Sequence, residues 1–462
     1  MEKNIILVGL GPHAKRIYIS LMKKYNILPK VIVDLDSNKD NVKKYLSEEN
    51  ILCDTYFVSN KEANNDELSS DVKKKIKNLI IKNKVKYAII STEPKAHFAY
   101  AKFFLDLDIN ILMDKPITSP QFVFKDVANS KKVIDEYNIL KEKYEKKYHS
   151  INFTIQCQRR YHAGYNYVKN ILSEIISKYN IPITYIDIYH SDGMWNMPNE
   201  FLSRENHPYK YGYGKLFHSG YHFIDLLIWL LECNNLSNKN VNNISISSSV
   251  FKPNDFFNTV DNEFYEKYLN TSEYKEIIEK KNLNDFGELD VHSMIDFKKD
   301  GYVITHCNLN LLQSGFSKRA WTKLPVDTYK SNGRVRHEHV NIQVGPIMNI
   351  QIHSYQSDEI NKKNDILNYD VGSIDHFDIY IFRNNNLIGG KSFEKKSIKD
   401  LVNKNDFLGN NEKARENCFI EFINDQKGES DLLKHDKSIY LLSKVCESIS
   451  LDKIINCSWG KR

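Results

Sequence analysis

Short apolar runs that alternate with helix-length stretches dominate the first third of the chain, and they constrain its fold more than any other feature. Each run is too short for a core helix and is typical of a strand buried on both faces. The runs lie at residues 4–8, 31–34, 87–91 and 109–113. The clearest helix is predicted over 122–148, with Ser119 as its cap and Pro120 in its first turn. Repeated strand and helix predict an α/β domain with a doubly wound parallel sheet.

Beyond about residue 150 the pattern changes to strands of alternating polarity. These segments lie at 183–189, 244–250, 289–297, 302–310, 340–344, 350–355 and 377–382. Period-two alternation predicts a largely antiparallel sheet with one wet face. Polar tracts at 252–284, 357–369 and 395–413 predict surface insertions with short helices or mobile loops. The sequence therefore predicts two domains, over residues 1–157 and 158–462.

Charge and cysteine content exclude several classes of protein. The 462 residues include 65 basic and 59 acidic side chains, which give a net charge of +6. Basic and acidic residues are interleaved along the chain, unlike the concentrated basic stripe of a nucleic-acid binder. No segment of about 20 apolar residues and no signal-peptide pattern is present, which predicts a cytoplasmic protein that does not bind membranes. The 7 cysteines are scattered without a Cys-x-x-Cys pair, so free thiols are expected.

A glycine pattern follows the first strand. Residues 8–14 are Val-Gly-Leu-Gly-Pro-His-Ala, in which Gly9 and Gly11 would let the backbone approach a pyrophosphate and Ala14 would pack the helix on the strand. An ordinary tight turn is the alternative. Asp34 ends the second strand about twenty residues further on, where it would accept from an adenosine ribose hydroxyl and repel a 2'-phosphate. The pattern predicts NAD binding, with NADP less favoured and Asp36 as a rival for the acidic position.

Four further segments extend this pattern. Residues 91–97 are Ser-Thr-Glu-Pro-Lys-Ala-His, 114–116 are Asp-Lys-Pro, 158–165 contain Arg-Arg-Tyr, and 212–225 are Gly-Tyr-Gly-Lys-Leu-Phe-His-Ser-Gly-Tyr-His-Phe-Ile-Asp. With the glycine pattern, they resemble the Gfo/Idh/MocA oxidoreductases, which include glucose-fructose oxidoreductase and inositol dehydrogenases. The family patterns are Thr-Pro-x-x-x-His, Glu-Lys-Pro, Arg-Arg-Tyr and Gly-Gly-x-Leu-x-Asp-x-Gly-x-His-x-x-Asp. They recur in family order between residues 5 and 230; beyond residue 240 the resemblance is architectural.

The resemblance implies a Rossmann domain followed by an α/β domain whose open sheet packs in homodimers or homotetramers. It also implies a sugar-like small-molecule substrate. The cofactor-binding residues that it implies are Gly9, Gly11, Pro12, His13, Ala14, Asp34, Ser91, Thr92, Pro94, His97, Asp114 and Lys115. The substrate-binding candidates are Arg160, Tyr161, Trp195, His218 and Asp225, with His190 and Asp192 as weaker candidates.

Hydride transfer from a carbinol carbon needs a base for the hydroxyl proton and a positive group near the developing alkoxide. His222 is the natural base, because the pKa of histidine lies near working pH. The resemblance gives Lys115 the task of orienting the nicotinamide ribose and the substrate oxygen. His218 departs from the family, which has Asp there to tune the catalytic histidine. Three explanations stay open: His218 takes part in a proton relay itself, catalysis differs from the family norm, or activity has been lost.

Two histidine groups raise the question of a metal. His218, His222 and Asp225 share one helix face, but the family uses His and Asp at the last two positions without metal. The segment 337–339, His-Glu-His, is interpreted as a surface pair on a strand. No metal is predicted.

The leading hypothesis is an NAD(P)-dependent oxidoreductase acting on a secondary alcohol or ketone of a sugar, cyclitol or sugar derivative. The alternatives are a dinucleotide-binding sensor or scaffold without catalysis, and an NAD-dependent glycosidase.

Overall fold

A computed structural model of the chain describes residues 3–62, 65, 67–323, 333–357, 370–402 and 410–460. The chain forms two compact units. The first comprises Met1–Pro120, Lys132–Tyr161 and Asn411–Ile439, and the second comprises Gln121–Lys131, His162–Asn410 and Tyr440–Arg462. This division differs from the predicted boundary at residue 157 chiefly because a C-terminal segment belongs to the first unit. Most of the predicted insertion at 357–369, and part of that at 395–413, lie outside the described residues.

Six parallel strands form the sheet of the first unit. They are β1 (Ile5–Val8), β2 (Val31–Leu35), β3 (Asp54–Val58), β4 (Tyr87–Ile90), β5 (Asn110–Asp114) and β6 (Phe153–Gln156). Their order is β3-β2-β1-β4-β5-β6, so the direction of winding reverses between β1 and β4. The predicted doubly wound sheet is confirmed, and this reversal is the position where such sheets bind dinucleotides. The sequence runs did not reveal β3, which is only partly buried, or the short β6.

Nine strands form the sheet of the second unit. They are β7 (Tyr185–Ser191), β8 (Asn243–Phe251), β9 (Asp290–Lys299), β10 (Tyr302–Leu312), β11 (Val335–Val344), β12 (Met348–Ser357), β13 (Asp378–Arg383), β14 (Phe393–Ser397) and β15 (Ile455–Ser458). Their order is β14-β13-β12-β11-β7-β10-β9-β8-β15, and only β7 and β10 pair in parallel. The mostly antiparallel sheet is therefore confirmed. The edge strands β14 and β15 were not predicted because they are short and largely polar.

The helices lie between these strands. They are α1 (Pro12–Ala14), α2 (Ser20–Lys24), α3 (Lys39–Glu48), α4 (Ser70–Lys82), α5 (His97–Asp106), α6 (Val127–Glu145), α7 (Ala163–Tyr179), α8 (Pro198–Ser203), α9 (Tyr221–Leu231), α10 (Pro253–Thr259), α11 (Asn262–Leu269), α12 (Lys275–Lys280), α13 (Asn385–Ile388), α14 (Asn410–Ile423) and α15 (Asp436–Leu451). The predicted insertion at 252–284 thus folds into three short helices. No helix among the described residues is long and apolar enough to span a membrane.

The helix predicted over 122–148 is shorter at both ends. Phe122 has a φ of +53°, a left-handed conformation that interrupts a helix. The Asp126 carboxylate accepts a hydrogen bond from the Asn129 N–H (2.8 Å), so Asp126 and not Ser119 caps α6. The predicted cap at Ser119 was wrong, because the left-handed conformation of Phe122 could not be predicted from composition.

Two π-helical turns occur among the described helices, and both lie in segments that the sequence had singled out. One, Lys15–Ile19, joins α1 to α2 directly after the glycine pattern. The other, Leu216–Gly220, leads into α9, which carries His222. Turns of this kind are rare and concentrate at functional sites. Both helices therefore have a local irregularity where chemistry is expected.

Candidate active site

The glycine pattern forms the turn between β1 and α1. Gly9 has a φ of +87°, and a Cβ at this position would lie 2.4 Å from the Ser91 carbonyl oxygen, so a side chain is excluded. At Gly11 a Cβ would meet nothing within 4 Å. The open space in front of Gly11 lies at the N-terminus of the continuous helical run from Pro12 to Lys24. A pyrophosphate fits there, because the backbone N–H groups and the helix dipole favour an anion.

Asp34 is tied to the glycine pattern. Its Oδ2 accepts a hydrogen bond from the Leu10 N–H (2.6 Å), and its Oδ1 accepts one from the Leu35 N–H (2.7 Å). Asp36 is exposed and begins a separate 3₁₀ turn, Asp36–Asn38. Of the two candidate acids, Asp34 is the one that lies against the glycine turn, as a ribose-binding carboxylate would.

Asp114, at the end of β5, collects several hydrogen-bond donors. It accepts from the Tyr18 hydroxyl (2.5 Å) and the Ser91 hydroxyl (2.6 Å), and His13 Nε2 lies 3.6 Å from its Oδ1. Burial alone would raise the pKa of Asp114, but the charge of His13 and these hydrogen bonds outweigh burial and hold the pKa well below its usual range. The cluster therefore retains a negative charge at the carboxyl edge of the parallel sheet.

Lys115 directly follows β5 and is joined to Pro116 by a cis peptide bond. His97 connects this loop to the loop after β4: its Nδ1 lies 2.6 Å from the Pro116 carbonyl oxygen, and its Nε2 lies 3.2 Å from the Thr92 carbonyl oxygen. His97 is completely buried, and burial lowers its pKa. Pro94 begins the short turn that leads into α5. His97 thus braces two loops, whereas Lys115 is half-buried at the sheet edge.

In the second unit, the π-turn and α9 carry the predicted catalytic histidines. His222 is 7% exposed, His218 is 3% exposed and Asp225 is completely buried. Nearly all of α9 is buried, which fits a helix that is apolar on every face. Gly220 in the π-turn packs closely, since a Cβ there would lie 2.9 Å from the Leu311 side chain. The tightly packed helix fixes these three side chains in position.

A buried charge network adjoins this helix. Asp192 Oδ2 accepts hydrogen bonds from Lys215 Nζ and from the Ser219 hydroxyl, each at 2.6 Å, while Arg334 pairs with its Oδ1. Lys215 also donates to His190 Nδ1 (2.9 Å). Burial lowers the pKa of Lys215 to about 8. For Asp192 the two cations outweigh burial and hold the pKa well below its usual range.

Sequence reasoning ranked Asp192 and His190 low and missed Lys215 and Arg334. A signal for Lys215 was present, because it is the single charged side chain between Gly212 and Tyr221 of an otherwise apolar and aromatic segment. A buried lysine needs an acidic partner. The partner could not be identified from the sequence, since Asp192 comes from the end of β7 and Arg334 from the residue before β11.

Glu288 lies against the start of the same helix. Its Oε1 accepts a hydrogen bond from the Leu216 N–H (2.6 Å), and its carbonyl oxygen accepts one from the Lys215 N–H (2.9 Å). A Cβ on Gly214 would lie 2.0 Å from that carbonyl oxygen, so the two segments can cross only at a glycine. Glu288 is completely buried, and burial raises its pKa to about 7.

A family model matches the N-terminal part of the chain. Residues 3–138 match the Gfo/Idh/MocA family model, described as an oxidoreductase family with an NAD-binding Rossmann fold. The first third of this chain is thus similar to the Gfo/Idh/MocA oxidoreductases. Its glycine turn, Asp34 and the Asp-Lys-Pro segment all lie inside the matched residues. Among curated protein sequences, none matches the chain significantly.

Solved structures share the fold along almost the whole chain. An oxidoreductase from Agrobacterium radiobacter, in complex with NAD⁺, L-tartaric acid and magnesium, has 10% identity and a TM-score of 0.56, over 98% of both chains. A UDP-N-acetylglucosamine 3-dehydrogenase from Acidithiobacillus ferrooxidans has 10% identity and a TM-score of 0.55, over 98% of this chain and 99% of that one. A myo-inositol 2-dehydrogenase from Lactobacillus plantarum has 12% identity and a TM-score of 0.54, also over 98% and 99%. At these identities the similarity establishes the fold.

At His218 the chain departs from the family pattern quoted above. Its ring packs edge-on against three aromatic rings, with centroid distances of 4.9 Å to His207, 5.3 Å to Tyr209 and 5.7 Å to Tyr213. Edge-to-face packing of this kind stabilises an aromatic side chain in a core. Position 218 therefore contributes an aromatic contact instead of the carboxylate found in the family.

Arg160 and Tyr161, both predicted to contact substrate, lie against the C-terminal segment of the first unit. Arg160 is 1% exposed, and its guanidinium donates to the carbonyl oxygens of Glu429 and Lys434, each at 3.0 Å. The Tyr161 hydroxyl donates to Glu421 and accepts from the Ser430 N–H (3.1 Å), and burial raises its pKa. Both side chains attach the C-terminal segment to the first unit. The Arg-Arg-Tyr pattern thus has a structural explanation in this chain.

Trp195 contacts the polar insertion. Its Nε1 donates to the Tyr265 hydroxyl on α11 (3.2 Å), and the indole packs in a cluster with Met197 and Tyr274. The side chain remains partly exposed. The insertion thus covers part of Trp195.

The histidines considered as metal ligands have other neighbours. His339 faces His353 across β11 and β12 with a centroid distance of 4.4 Å, and His337 packs on Tyr189 and Tyr355. Within the described ranges, no group of three His, Cys, Asp or Glu side chains is arranged to hold a metal ion. The alternation of β11 places both histidines on one face of the sheet, where they are half-buried.

Proposed function

We propose that this oxidoreductase transfers a hydride between nicotinamide and a secondary alcohol or ketone of a sugar, cyclitol or sugar derivative. The observation that carries the proposal is that Lys115 follows β5 while the Gly11 space follows β1, and both strands are parallel in one sheet. A lysine is thereby held at the edge where dinucleotides lie in such sheets. The Asp34 carboxylate against the glycine turn favours NAD over NADP.

Lys115 and His222 have complementary tasks in this proposal. NAD supplies the hydride acceptor when it is bound. Lys115 keeps an ammonium group beside the reacting oxygen and stabilises its negative charge. His222 accepts the hydroxyl proton and returns it in the reverse direction. Position 218 has no carboxylate, so any acidic group that tunes His222 comes from another position.

The substrate class follows from chemistry that the structural neighbours share. Among them are the myo-inositol 2-dehydrogenase and the UDP-N-acetylglucosamine 3-dehydrogenase, which are named for oxidation of a ring carbon. Both names describe chemistry at a secondary alcohol. We extend that class to this chain, with Trp195, His218 and Asp225 as candidate substrate contacts.

Turnover of a defined panel tests the proposal. The full chain would be incubated with NAD⁺ and myo-inositol, UDP-N-acetylglucosamine or L-tartrate, and reduced nicotinamide measured by absorbance. Lys115→Met and His222→Ala should bind NAD⁺ as the wild type does, with turnover reduced about 10²- to 10⁴-fold. Lys102→Met, which removes an ammonium paired with Glu67 on the surface, serves as the control. Undiminished turnover in both active-site variants would refute the assignment.

A sensor or scaffold that binds NAD without catalysis is the second candidate. The aromatic surroundings of His218, in place of a carboxylate, favour it. Under this alternative the wild type binds NAD⁺ but reduces none of it with any member of the panel. Cofactor turnover with a single polyol or keto sugar would eliminate the sensor hypothesis.

We also propose that two copies associate through the open face of the nine-stranded sheet. At this face lie partly buried tyrosine and histidine rings, among them Tyr189, His337, His339, His353 and Tyr380. Nine strands about 4.8 Å apart present on the order of 1,000 Å², which exceeds the roughly 800 Å² per partner of a standard interface. Tyr189→Glu should convert the dimer to a monomer in sedimentation experiments.

We also propose that the protein is located in the cytoplasm, a reducing compartment in which the 7 free cysteines would remain thiols.

A further inference from the structure

Helix α14 packs along the helical run that begins at the glycine pattern. Phe419 and Phe422 share one core cluster with Ile17 and Met22, and the Tyr25 hydroxyl donates to Glu416 (2.7 Å). Glu416, Phe419 and Phe422 belong to a segment that the sequence analysis assigned to the second domain. The cofactor-binding half of the first unit is therefore completed by the C-terminal part of the chain.

Two arginines share one carboxylate at the start of this contact. Glu412 Oε1 accepts hydrogen bonds from Arg16 Nη1 (2.8 Å) and from Arg415 Nη1 (3.1 Å). Arg16 follows the glycine pattern by one helical turn, and Arg415 is one turn into α14. Two guanidinium groups against one carboxylate leave a net positive charge, because arginine remains protonated in proteins.

The backbone of Arg415 is fixed over the edge of the parallel sheet. The Gln156 side-chain amide donates to the Arg415 carbonyl oxygen (3.2 Å), and Gln156 on β6 pairs in register with Asp114 on β5. Arg415 thus lies beside the Asp114 cluster. Burial lowers the pKa of Arg415, while the charges of Glu412 and Asp114 raise it. The position of Arg415 near the carboxyl edge of the sheet is independent of the Rossmann sequence motifs.

We propose that Arg415 is a cofactor-binding residue: its guanidinium donates to an oxygen of the pyrophosphate or the nicotinamide ribose of the bound dinucleotide. A dinucleotide crosses the carboxyl edge between the glycine helix and the strands beyond the reversal, so its middle and its nicotinamide half pass the Asp114 cluster. Within the described residues, the Arg415 side chain makes one hydrogen bond, to Glu412. Its side chain is 14% exposed, so the remaining donors reach the surface. Glu412 and Arg16 orient the group.

Ligands of increasing length test this proposal by calorimetry on the full chain. Arg415→Met should weaken NAD⁺ and ADP-ribose about tenfold or more and leave AMP unchanged, because charge-assisted hydrogen bonds to phosphate or ribose oxygens are lost. ADP distinguishes the two acceptors. If ADP weakens as much as ADP-ribose, the acceptor is the pyrophosphate; if ADP is unchanged, the acceptor is the nicotinamide ribose.

The control is Lys413→Met, which removes a neighbouring cation of α14 that pairs with Glu416. Arg415→Lys keeps the charge and should retain part of the affinity, which covers the case in which Arg415→Met does not fold. Wild-type affinity for NAD⁺ with a lower unfolding midpoint would show that Arg415 only anchors the helix and would overturn the proposal. Equal weakening of AMP and NAD⁺ would do the same. The inference rests on NAD binding and not on the proposed substrate, so loss of turnover alone does not bear on it.

Discussion

Two aspartates, one in each unit, have pKa values held below the usual range by different kinds of partner. Asp114 is surrounded by the hydroxyls of Tyr18 and Ser91 and by His13, whose side chain is 32% exposed. Asp192 lies between Lys215, which is completely buried, and Arg334. At Asp114 two hydroxyl donors and a partly exposed histidine stabilise the carboxylate, whereas at Asp192 two cations compensate its charge and allow it to be buried in the core.

The difference separates a place that can bind a ligand from one that holds the fold together. The Asp114 cluster stands at the edge of a parallel sheet, next to Lys115 and the open space before Gly11. The Asp192 network fixes β7, the π-turn and the residue before β11 to one another. In the first unit the charged Asp114 cluster thus lies where a cofactor can bind. In the second unit the charged Asp192 network positions the His222 helix.

The largest effect is expected from breaking the Asp192 network. Lys215→Met should lower the free energy of unfolding by about 3 kcal/mol or more, because it removes one partner of a buried ion pair. Urea unfolding followed by tryptophan fluorescence measures this. Lys210→Met, a surface lysine paired with Glu205, should change stability by less than about 0.5 kcal/mol.

A double variant checks the cause of that loss. Adding Asp192→Asn to Lys215→Met should restore part of the stability, since no buried carboxylate is then left short of a cation. If Lys215→Met proved as stable as the wild type, the network would have no structural role and the comparison with Asp114 would fail.

Glu288 sharpens the comparison, because it is a buried carboxyl of the second unit that relies on backbone N–H groups. Its folded pKa of about 7 lies above the ordinary 4.5, so the folded state binds this proton more tightly than the unfolded chain does. The resulting stability is fully present below pH 4.5 and is lost as pH rises through about 7. Glu288→Gln removes the dependence. The free energy of unfolding of the variant should match that of the wild type near pH 5 and exceed it by about 2–3 kcal/mol near pH 8. A constant difference in unfolding free energy across that pH range would contradict the burial argument.

A smaller effect is expected in the first unit. Tyr18→Phe deletes the 2.5 Å hydrogen bond to Asp114 but leaves Ser91 and His13 in place. The loss in unfolding free energy should be about 1–2 kcal/mol, typical of a neutral donor to a charged acceptor. The same urea experiment measures it. A loss as large as that of Lys215→Met would mean that both clusters are structural.

Local patterns explain why much of the first unit could be predicted. The glycine turn, Asp34 and the Asp-Lys-Pro segment each depend on residues close in sequence, and buried parallel strands are recognisable by their apolar runs. The doubly wound parallel arrangement followed from the repeated strand and helix, whereas the strands β3 and β6 were not predicted. The antiparallel sheet was similarly visible in the alternation of its longer strands.

Long-range contacts explain what could not be predicted. The partners of Arg160, the carbonyl oxygens of Glu429 and Lys434, could not be predicted because backbone groups carry no side-chain signal. The inclusion of 411–439 in the first unit, and with it Arg415, depends on packing that no motif records. His218 was recognised as a departure from the family, but its aromatic neighbours His207 and Tyr209 became visible only in the structure.

The two glycines of the motif give the most direct test that the first unit binds NAD. Calorimetric titration of NAD⁺ would be performed on the wild type and on Gly11→Ala, with Gly9→Ala as the contrast. Gly11→Ala should keep the wild-type unfolding midpoint, because its Cβ meets nothing within 4 Å, yet bind NAD⁺ at least about tenfold more weakly by filling the pyrophosphate space. Gly9→Ala should instead lose stability through its contact with Ser91. Wild-type NAD⁺ affinity in Gly11→Ala would contradict the placement of the cofactor on this turn.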